Sequence, residues 1–487
     1  MFYETPRKKS SNKFKKYRDL IKGLTLTVEQ YSQLKRAFAG GFTHANPFYS
    51  GDIIEDAHSF DETSAYPFVM VAEQFPMSSP IKVKITSKEQ FYKLLKLYCC
   101  VFDATFENIR PKQFYENYIS VSHCRDLKDY EENNGRIVQA TELTTTITEQ
   151  DFFIIEKFYE WDKITIRNFN KFTKAYLPKD LILSILELYK NKTELKDIVE
   201  FAVEYMLSKN MINSVFGMMV TDICRDEILY EEELWSTDKP DFDKAIEKYN
   251  DSVKRFLYYA WGVWVTAYAR KNLFTGIYEF KDDYLYSDTD SLKVINIDNH
   301  MDYINKYNQR VRKKLEAMCK FYDIPIELTR PKNKKGEEKE LGIWDYEGHY
   351  TRFKTLGAKR YLTEKYEKNK ETGVYEYVLT LTVSGVNKKN AIKYLLHKYG
   401  REKVFEAFDD DLDIPAVYYI GKKEYSGTGK LTHTYIDDIR EGYAIDYLGK
   451  KQYYKELSSV HLEDCEYSLS LSSKYVDFLL GIKQVTI

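Results

Sequence analysis

The sequence predicts an α+β fold with an antiparallel sheet, and three observations support this prediction. The chain has 487 residues and is 43% hydrophobic, so it can bury a large core and exceeds the usual size of one compact domain. Apolar residues flank 286–291 in the pattern of a half-buried hairpin. Apolar positions with helical spacing run from Asp243 to Val265 and from Ile304 to Tyr322. We therefore expect several subdomains.

The charge, cysteine content and hydropathy of the chain argue against several classes of protein. The 73 basic and 75 acidic residues give a net charge of -2, which argues against a generic polyanion binder and confines nucleic-acid contact to local patches. Only Cys99 and Cys100 are close among six cysteines, a pattern that predicts a reducing compartment and no zinc site. The apolar run 256–269 is too short to span a bilayer, and no signal peptide is visible. A soluble, intracellular protein without a membrane partner is expected.

The centre of the predicted hairpin carries two carboxylates. In the run from Tyr286 to Ser291, Asp288 and Asp290 are two residues apart. Residues at this spacing in an extended chain share a face, and two such carboxylates repel unless a cation neutralises them. This predicts a Mg²⁺ site. An Asp-rich turn without a metal is the alternative.

Two further segments resemble parts of one known site. Residues 60–67 read Phe-Asp-Glu-Thr-Ser-Ala-Tyr-Pro, and residues 209–217 read Lys-Asn-Met-Ile-Asn-Ser-Val-Phe-Gly. Together with 286–291, and in this order, they resemble motifs A, B and C of family B DNA polymerases, closest to the protein-primed bacteriophage branch. The resemblance implies a right-hand fold of palm, fingers and thumb, with an antiparallel palm sheet. It also implies template-directed addition of deoxynucleotides to a primer 3′-OH.

The resemblance assigns the catalytic metal ligands. Asp61, Asp288 and Asp290 are expected to hold two Mg²⁺ ions, with Mn²⁺ as a substitute, for two-metal nucleotidyl transfer. Asp61 lies at the predicted end of a strand, and Pro67 is expected to end regular pairing just after Tyr66.

Motif A also implies part of the nucleotide site. Tyr66 matches the aromatic residue under the sugar of the incoming nucleotide, where its ring excludes a 2′-OH, and Ser64 belongs to the same site. A core tyrosine is the structural alternative, in a chain with 43 tyrosines. Ala65 stands where the family usually has leucine.

The chain begins with basic residues that have two interpretations. Such a charge run could track phosphates, or it could be a solvated and partly disordered terminus. The residues are Arg7, Lys8, Lys9, Lys13, Lys15, Lys16, Arg18 and Lys22.

Paired glycines follow this arm. Phe38-Ala39-Gly40-Gly41 resembles the family's Tyr-x-Gly-Gly motif, which contacts the template, with Phe38 in place of tyrosine. A plain Gly-Gly turn is the alternative. Relatives carry a 3′-5′ exonuclease before this motif, whereas 37 residues precede it here. We expect polymerisation without proofreading, or proofreading by a separate exonuclease polypeptide.

The fingers are expected between 178 and 217. Two helices are predicted, with Thr193 as the N-cap of the second. Lys209 and Asn213 are four residues apart and share a helix face. The resemblance implies that Lys209, Asn213, Phe216 and Gly217 bind the nucleotide and that Ser214 contacts DNA. A second phosphate-binding lysine is either Lys190 or Lys192, a choice left open.

A later segment resembles the family's Lys-x-Tyr motif. Lys359 and Tyr361 would point the same way on a strand, with Lys359 on a primer phosphate and Tyr361 near the primer terminus. Thr289 is assigned to DNA as well.

The resemblance also implies a domain division. It comprises the basic arm 1–37, the first palm segment 38–77, a first insertion 78–177 like the terminal-protein region, the fingers 178–217, a second insertion 218–252 linked to processivity and strand displacement, the second palm segment 253–386, and the thumb with a C-terminal extension 387–487. In the first insertion, strand-like runs such as 81–85 and a helix over 149–160 are predicted. An elaborated edge of the palm is the alternative for the first insertion, and a decorative surface loop is the alternative for the second.

The expected partners are primer-template DNA and deoxynucleoside triphosphates, with a terminal protein as a candidate primer, in the cytoplasm of a bacterial host. Two other functions stay open: a non-catalytic replisome scaffold that binds DNA, and an RNA-synthesising primase or polymerase, which Tyr66 disfavours. The mode of priming is not encoded in any motif.

Overall fold

The structure is a computed structural model that describes most of the chain from residue 12 onward. It describes residues 12–231, 234–369, 373–409 and 412–415, and then the strand segments 424–425, 431–432, 441–445, 451–455 and 459–461. Arg7, Lys8 and Lys9 of the basic arm and most of the predicted C-terminal extension lie outside the described residues.

Helices form where apolar positions recur at helical spacing, and polar caps fix several of their ends. Thr27 and Thr148 each precede a helix in a capping box, in which the hydroxyl accepts a hydrogen bond from the third helical backbone N–H. The α-helices are α1 Asn12–Gly23, α2 Val28–Ala37, α3 Ala65–Ala72, α4 Lys88–Leu97, α5 Glu149–Phe158, α6 Lys179–Glu194, α7 Ala202–Met219, α8 Phe242–Asp251, α9 Tyr259–Phe280, α10 Met301–Tyr322 and α11 Lys388–Ala407. Short 3₁₀ helices span Val121–His123, Val199–Phe201, Lys281–Asp283, Ile297–Asn299 and Ile326–Thr329. None of the described helices is both long and apolar enough to cross a bilayer.

The central sheet has seven antiparallel strands in the order β1-β13-β14-β2-β15-β16-β17, with strands numbered along the chain. They are β1 Thr43–Ala45, β2 Ile54–Glu62, β13 Tyr284–Asp288, β14 Ser291–Val294, β15 Trp344–Gly357, β16 Arg360–Lys368 and β17 Tyr375–Val383. This confirms the predicted antiparallel sheet and the hairpin within it. The hairpin lies between β1 and β2, so strands from distant parts of the chain are interleaved.

A second sheet is built from the segment between residues 78 and 177. Its order is β4-β9-β5-β7-β6, and β8 pairs with β5. These strands are β4 Ile81–Lys82, β5 Cys99–Pro111, β6 Cys124–Asn133, β7 Arg136–Thr148, β8 Tyr159–Glu160 and β9 Lys163–Phe172. β3 Gln74–Pro76 pairs with β10 Lys174–Tyr176. This pairing brings the two ends of the segment together.

The remaining described strands form separate antiparallel pairs. They are β11 Glu227–Glu231 with β12 Leu234–Asp238, β18 Asp413–Pro415 with β23 Ser459–His461, β19 Glu424–Tyr425 with β20 Leu431–Thr432, and β21 Glu441–Ile445 with β22 Lys451–Lys455.

Helix α9 is buried along most of its length and contacts both large sheets. The indole N–H of Trp264 donates to the Glu149 carboxylate at 2.9 Å, and its ring packs on Phe172 of β9. On the other side, a Cβ added at Gly276 would lie 2.5 Å from Leu292 Cδ1, so glycine allows the helix to approach β14 closely. The helix therefore supports the hairpin.

The predicted continuous helix from Asp243 is interrupted. Residues 252–258 separate α8 from α9 and are not helical. The guanidinium of Arg255 in this segment donates to the carbonyls of Leu24 and Ile21 at 2.8 and 2.7 Å. The segment between α8 and α9 is thus hydrogen-bonded to the N-terminal region of the chain where the predicted helix is interrupted.

Two predicted boundaries are wrong. Thr193 lies in the last turn of α6 and does not cap the next helix, because its hydroxyl donates to the Tyr189 carbonyl one turn earlier, at 2.9 Å. Strand β2 ends at Glu62, and Pro67 lies in the first turn of α3, where a missing N–H costs no helical hydrogen bond. Proline therefore belongs to a helix start here and does not end strand pairing.

The described part of the basic arm is folded. In α1 and α2, Tyr17, Ile21 and Leu34 are buried, whereas Lys15 and Lys16 are exposed. Residues 12–37 thus form two packed helices, while the choice between a phosphate-tracking arm and a partly disordered terminus stays a prediction. The apolar face of these helices joins the main core.

Candidate active site

The end of β2 and the turn after β13 meet within the central sheet. Asp61 on β2 lies opposite Ser291 on β14, and the backbone N–H of Glu62 donates to the Asp290 carbonyl at 2.7 Å. Sheet register, rather than proximity in sequence, thus brings Asp61 beside Asp290. The structure places all three predicted aspartates in this region.

The two hairpin aspartates lie at a turn. Asp288 is the last residue of β13, Thr289 has a φ of 59°, and the Asp290 N–H donates to the Asp288 carbonyl at 2.6 Å. The argument that both residues share a face of an extended strand is therefore wrong. The left-handed conformation of Thr289 closes a tight turn between the strands.

Hydroxyl and ammonium groups surround the Asp288 carboxylate. Thr43, which lies opposite Asp288 on β1, donates its hydroxyl to Oδ1 at 3.0 Å, and the Thr289 hydroxyl lies 3.3 Å from the same oxygen. The Lys359 Nζ contacts both carboxylate oxygens. Sequence reasoning missed Thr43. The sequence feature that could have identified this residue is its position two residues after the paired glycines.

Ionisation of the other two aspartates, Asp61 and Asp290, is disfavoured, because their pKa values are raised. Burial, followed by the negative charge of Asp290, raises the pKa of Asp61 to about 7. Burial, followed by the charge of Asp288, raises the pKa of Asp290 to about 6. Partial desolvation and mutual repulsion both penalise the ionised carboxylates, so a bound cation would stabilise them.

The chemistry of this cluster fits a divalent cation. Carboxylate oxygens are the ligands that Mg²⁺ prefers, and the Lys359 ammonium already provides a positive charge at Asp288. In this conformation the oxygens of the three aspartates do not all lie within 4.8 Å of one another. The donor set thus suits a metal but is not closed around one point.

Sequence reasoning missed a buried lysine next to the aspartates. Lys293 is 4% exposed on β14, donates to the Ser59 hydroxyl at 2.7 Å and lies 3.7 Å from the Glu347 carboxylate. Its positive charge favours ionised Asp61, whereas Glu347 opposes ionisation. The sequence feature that could have identified this residue is a lysine between the apolar residues of β14.

The structure distinguishes the two candidate lysines of α6. The Lys192 Nζ donates to the Ser64 hydroxyl at 2.8 Å, whereas Lys190 lies 3.9 Å from Glu194 on its own helix. Burial, followed by the charge of Lys209, lowers the pKa of Lys192. Lys192 therefore faces the carboxylates, and Lys209 from the next helix is close enough to influence it.

Two aromatic rings lie beside this basic pair. Tyr66 on α3 and Phe216 on α7 are half-buried, with ring centroids 4.6 Å apart. The carboxylates of Asp290 and Asp288 contribute to raising the pKa of Tyr66, after burial as the main cause. The structure thus brings predicted residues of motifs A, B and C together.

The exposed side of α7 carries the other predicted nucleotide and DNA residues. Lys209 and Asn213 are both exposed and one helical turn apart, as predicted. Ser214 and Gly217 are also exposed, and the Ser214 hydroxyl donates to the Asn210 carbonyl at 2.7 Å. These residues are open to a ligand approaching the helix.

The paired glycines contact the hairpin turn. A Cβ at Gly41 would lie 2.6 Å from the Thr289 hydroxyl oxygen, whereas one at Gly40 would meet nothing within 4 Å. The Thr289 N–H donates to the Phe42 carbonyl at 2.7 Å, and the Arg270 guanidinium donates to the Gly40 carbonyl at 3.0 Å. Gly41 is thus needed for close packing, beyond forming a simple turn.

Lys359 and Tyr361 do not lie on the same strand face. Lys359 has a φ of 59° in the turn between β15 and β16, whereas Tyr361 is within β16. The prediction that these two side chains point the same way along one strand is therefore wrong. Both residues nevertheless contact Tyr286, through the Lys359 N–H at 3.0 Å and through ring packing with centroids 5.0 Å apart.

Comparison with protein families gives a match over more than half of the chain. The family described as DNA polymerase type B, organellar and viral, matches residues 7–309. The matched range includes Asp61 and both hairpin aspartates.

Curated relatives come from bacteriophages. The chain is 25% identical to the DNA polymerases of Bacillus phage Nf and Bacillus phage M2 over 358 residues, which is 73% of this chain. The aligned region is 53% of each relative, so the chain spans about half the length of the curated relatives it matches.

A solved structure shows the same fold. The chain is similar to phi29 DNA polymerase complexed with primer-template DNA and incoming nucleotide, with a TM-score of 0.59 and 16% identity. The match covers 93% of this chain and 67% of that one. This likeness confirms the predicted α+β fold class.

Proposed function

Because this chain belongs to the family of type B DNA polymerases of organelles and viruses, we propose that it is a template-directed DNA polymerase. It adds deoxynucleotides to a primer 3′-OH within a right-hand fold. The observation that carries this proposal is the meeting of Asp61 with the turn of Asp288 and Asp290, held by the register of β2 and β14. The bound primer-template and nucleotide of the phi29 relative support the same substrates here.

The three aspartates are the proposed metal ligands. Polymerases of this family generally use divalent metal ions, and we assign two Mg²⁺ ions, replaceable by Mn²⁺, to Asp61, Asp288 and Asp290. Bound there, the ions would help to deprotonate the primer 3′-OH and stabilise the pyrophosphate leaving group. Lys293 and Ser59 position the strands beneath Asp61, and Lys359 neutralises Asp288 in the free chain.

The nucleotide site lies between α3, α6 and α7. Lys192 and Lys209 are the proposed triphosphate ligands, since the charges of Lys209, Asp61 and Asp290 all act on Lys192, which places the two lysines close together beside the carboxylates. On this basis we assign the second phosphate-binding lysine to Lys192 rather than Lys190. Tyr66 excludes the 2′-OH, and Phe216 packs against its ring. The remaining proposed nucleotide residues are Ser64, Asn213 and Gly217.

DNA contacts surround this site. We assign the template to Gly40, Gly41 and Ser214 and the primer strand to Lys359 and Tyr361. Thr289 lies between the template residues and the primer residues. It packs against Gly41 and contacts Asp288, which Lys359 also contacts. Lys359 is half-exposed and on a flexible side chain, so it can exchange its carboxylate partner for a phosphate.

The domain division follows from these roles. The central sheet spans the proposed palm segments 38–77 and 253–386, while α6 and α7 form the fingers at 178–217. Residues 78–177 and 218–252 are insertions, and the thumb begins at 387. The paired strands β3 and β10 support the first insertion, which we assign to contact with a terminal protein in a bacterial host cytoplasm.

Primer extension tests the proposal. The purified chain with primer-template, Mg²⁺ and deoxynucleotides should extend the primer, and Asp61→Asn, Asp288→Asn or Asp290→Asn should each reduce extension by ~100-fold or more because a metal ligand is lost. DNA binding at low salt should survive, since the basic contacts remain. Asp302→Asn, which changes an exposed carboxylate on α10, is the matched control.

The outcomes distinguish the alternatives. DNA binding without any extension by the unaltered chain would favour a scaffold. Preference for ribonucleotides would favour an RNA-synthesising enzyme. Full activity of both Asp61→Asn and Asp290→Asn would overturn the assignment of the metal ligands.

A further inference from the structure

A second group of metal-binding side chains lies on the central sheet and has no part in the proposed polymerase chemistry. It consists of Asp56, His58 and His349, whose ligand atoms all lie within 4.8 Å of one another. The His349 Nε2 is 2.8 Å and the His58 Nε2 is 3.5 Å from Asp56 Oδ1. Ligands of a tetrahedral zinc ion, at bond lengths near 2.1 Å, are roughly 3.4 Å apart. The observed spacing is close to that of a zinc site.

The register of two strands creates this group. His58 on β2 lies directly opposite His349 on β15, and their ring centroids are 5.1 Å apart. Asp56 lies two residues before His58, so its carboxylate reaches both imidazoles. The two histidines come from strands far apart in the chain, and no local sequence pattern reveals them. The cysteine spacing that predicts no zinc site has no bearing on a histidine and carboxylate set.

A neighbouring tyrosine orients His58. The His58 Nδ1 lies 2.9 Å from the Tyr346 hydroxyl, also on β15. When Nδ1 donates this hydrogen bond, the lone pair of Nε2 points toward Asp56. Metal-binding histidines are usually held in this way by a hydrogen bond from the other ring nitrogen.

This group is separate from the catalytic aspartates. Successive residues of a strand face opposite sides, so His58 and Ser59 lie on different faces of β2. Ser59 contacts Lys293 beside Asp61, whereas His58 contacts Tyr346.

The group is also open to solvent. The side chain of Asp56 is 80% exposed and that of His349 is 41% exposed, whereas His58 is 15% exposed. An ion can therefore enter from solvent and keep a water molecule as a ligand.

We propose that Asp56, His58 and His349 bind one Zn²⁺ ion, with water as its fourth ligand. Two imidazoles and one carboxylate suit Zn²⁺ and other borderline transition metals, whereas Mg²⁺ prefers an all-oxygen site. The ion cross-links β2 to β15, the two strands paired beside Asp61.

Zinc titration of the full chain in excess Mg²⁺ tests this site. Mg²⁺ occupies the catalytic carboxylates but competes poorly for imidazole. We expect one Zn²⁺ per chain by calorimetry, a Tm that rises with zinc concentration, and the strong visible absorption of tetrahedral cobalt when Co²⁺ replaces zinc. His349→Ala and Asp56→Asn should each weaken zinc binding by at least ~10-fold, since one of three protein ligands is lost.

An exposed histidine elsewhere provides the control. His397→Ala, on α11, should bind zinc and cobalt like the unaltered chain. Circular dichroism checks that each variant is folded, and both altered ligands are exposed enough to make this feasible. Zinc affinity and a cobalt spectrum unchanged in His349→Ala and Asp56→Asn would overturn the proposal. So would complete displacement of zinc by Mg²⁺. No readout depends on primer extension, so this result is independent of the polymerase assignment.

Discussion

At the residue scale, the candidate site brings together three carboxylates that are partly removed from solvent. Asp61 and Asp290 have raised pKa values, which the charge of Lys192 from α6 opposes at both residues and that of Lys293 from β14 opposes at Asp61, while Lys359 contacts Asp288. Such a site attracts cations and phosphates together, as phosphoryl transfer requires.

Sugar selection is predicted to depend on the Tyr66 ring. Tyr66→Val should raise ribonucleotide incorporation relative to deoxynucleotide by about tenfold or more, because removing the ring leaves room for the 2′-OH. Tyr66→Phe keeps the ring and its packing on Phe216, so it should preserve discrimination. The measurement is the ratio of kcat/KM for the paired nucleotides on one primer-template. An unchanged ratio in Tyr66→Val with an altered ratio in Tyr66→Phe would assign selection to the hydroxyl.

A buried carboxylate near the proposed thumb is predicted to make stability depend on pH. Burial alone would raise the pKa of Glu364, but hydrogen bonds from Arg352, Arg401 and Thr351 outweigh it and lower the pKa to about 2. Since the folded pKa is below the unfolded value of 4.5, the stabilisation is complete above pH 4.5 and disappears as pH falls toward 2.

Glu364→Gln should therefore reduce the free energy of unfolding by about 2 kcal/mol at pH 7. The value is below that implied by the full pKa displacement because Arg401 is 38% exposed and screened by solvent. Urea unfolding at several pH values should show the difference shrinking below pH 4.5. Glu402→Gln, which alters an exposed partner of Arg401, is the control and should change little. A constant difference at every pH would contradict the ionic explanation.

At the element scale, the loop that contains Gly41 and the hairpin turn that contains Thr289 are closely packed. The loop at Gly41 packs against the hairpin turn at Thr289, and backbone and side-chain contacts both join them. The position of the Asp288 carboxylate thus depends on a segment more than two hundred residues earlier in the chain.

This fit predicts different effects for adjacent glycines. Gly41→Ala should lower the rate of primer extension at least ~10-fold, since the new methyl group overlaps Thr289 and displaces the turn. Gly40→Ala, with open space at its Cβ, is the matched control and should stay within a fewfold of the unaltered rate. Thr289→Gly combined with Gly41→Ala should recover part of the loss. Equal effects of the two alanines would show that backbone freedom, not the contact with Thr289, matters.

At the scale of the whole molecule, α9 joins regions that are distant in sequence. Besides the two sheets, it contacts the end of α7 at Gly262, where an added Cβ would overlap Val220 and lie 2.9 Å from Met219 Cβ. The orientation of the proposed fingers relative to the palm thus depends on this close approach.

Gly262→Ala should therefore lower stability by about 1–3 kcal/mol, the usual cost of overpacking a core. Gly217→Ala, on the exposed side of α7 with nothing within 4 Å, should raise it by about 0.5–1 kcal/mol through helix propensity. Urea unfolding measures both changes. A neutral Gly262→Ala would mean that the two helices can separate without cost.

The sequence predicted those features that depend on local pattern or motif. The hairpin, α10 and the grouping of Asp61 with the hairpin aspartates follow from periodicity and motif order. Features set by tertiary contact were missed or wrong: the break before α9 comes with hydrogen bonds of Arg255, and Thr193 bonds backward within α6. Lys293 was overlooked because its neighbours in space, Ser59 and Glu347, are remote in sequence.

The interleaving of the central sheet also constrains the order of events during synthesis on the ribosome. Among the described strands, β2 pairs with β14 and β15 alone, so the strand carrying Asp61 meets its first described partner only after residue 291 has been made. At typical elongation rates this delay is roughly ten to fifty seconds. During it, an extended segment with unpaired backbone groups waits for strands that lie far downstream, and such long-range pairing is slow. The chain therefore has to delay completion of its central sheet, and the nascent polypeptide is most vulnerable to aggregation during that interval.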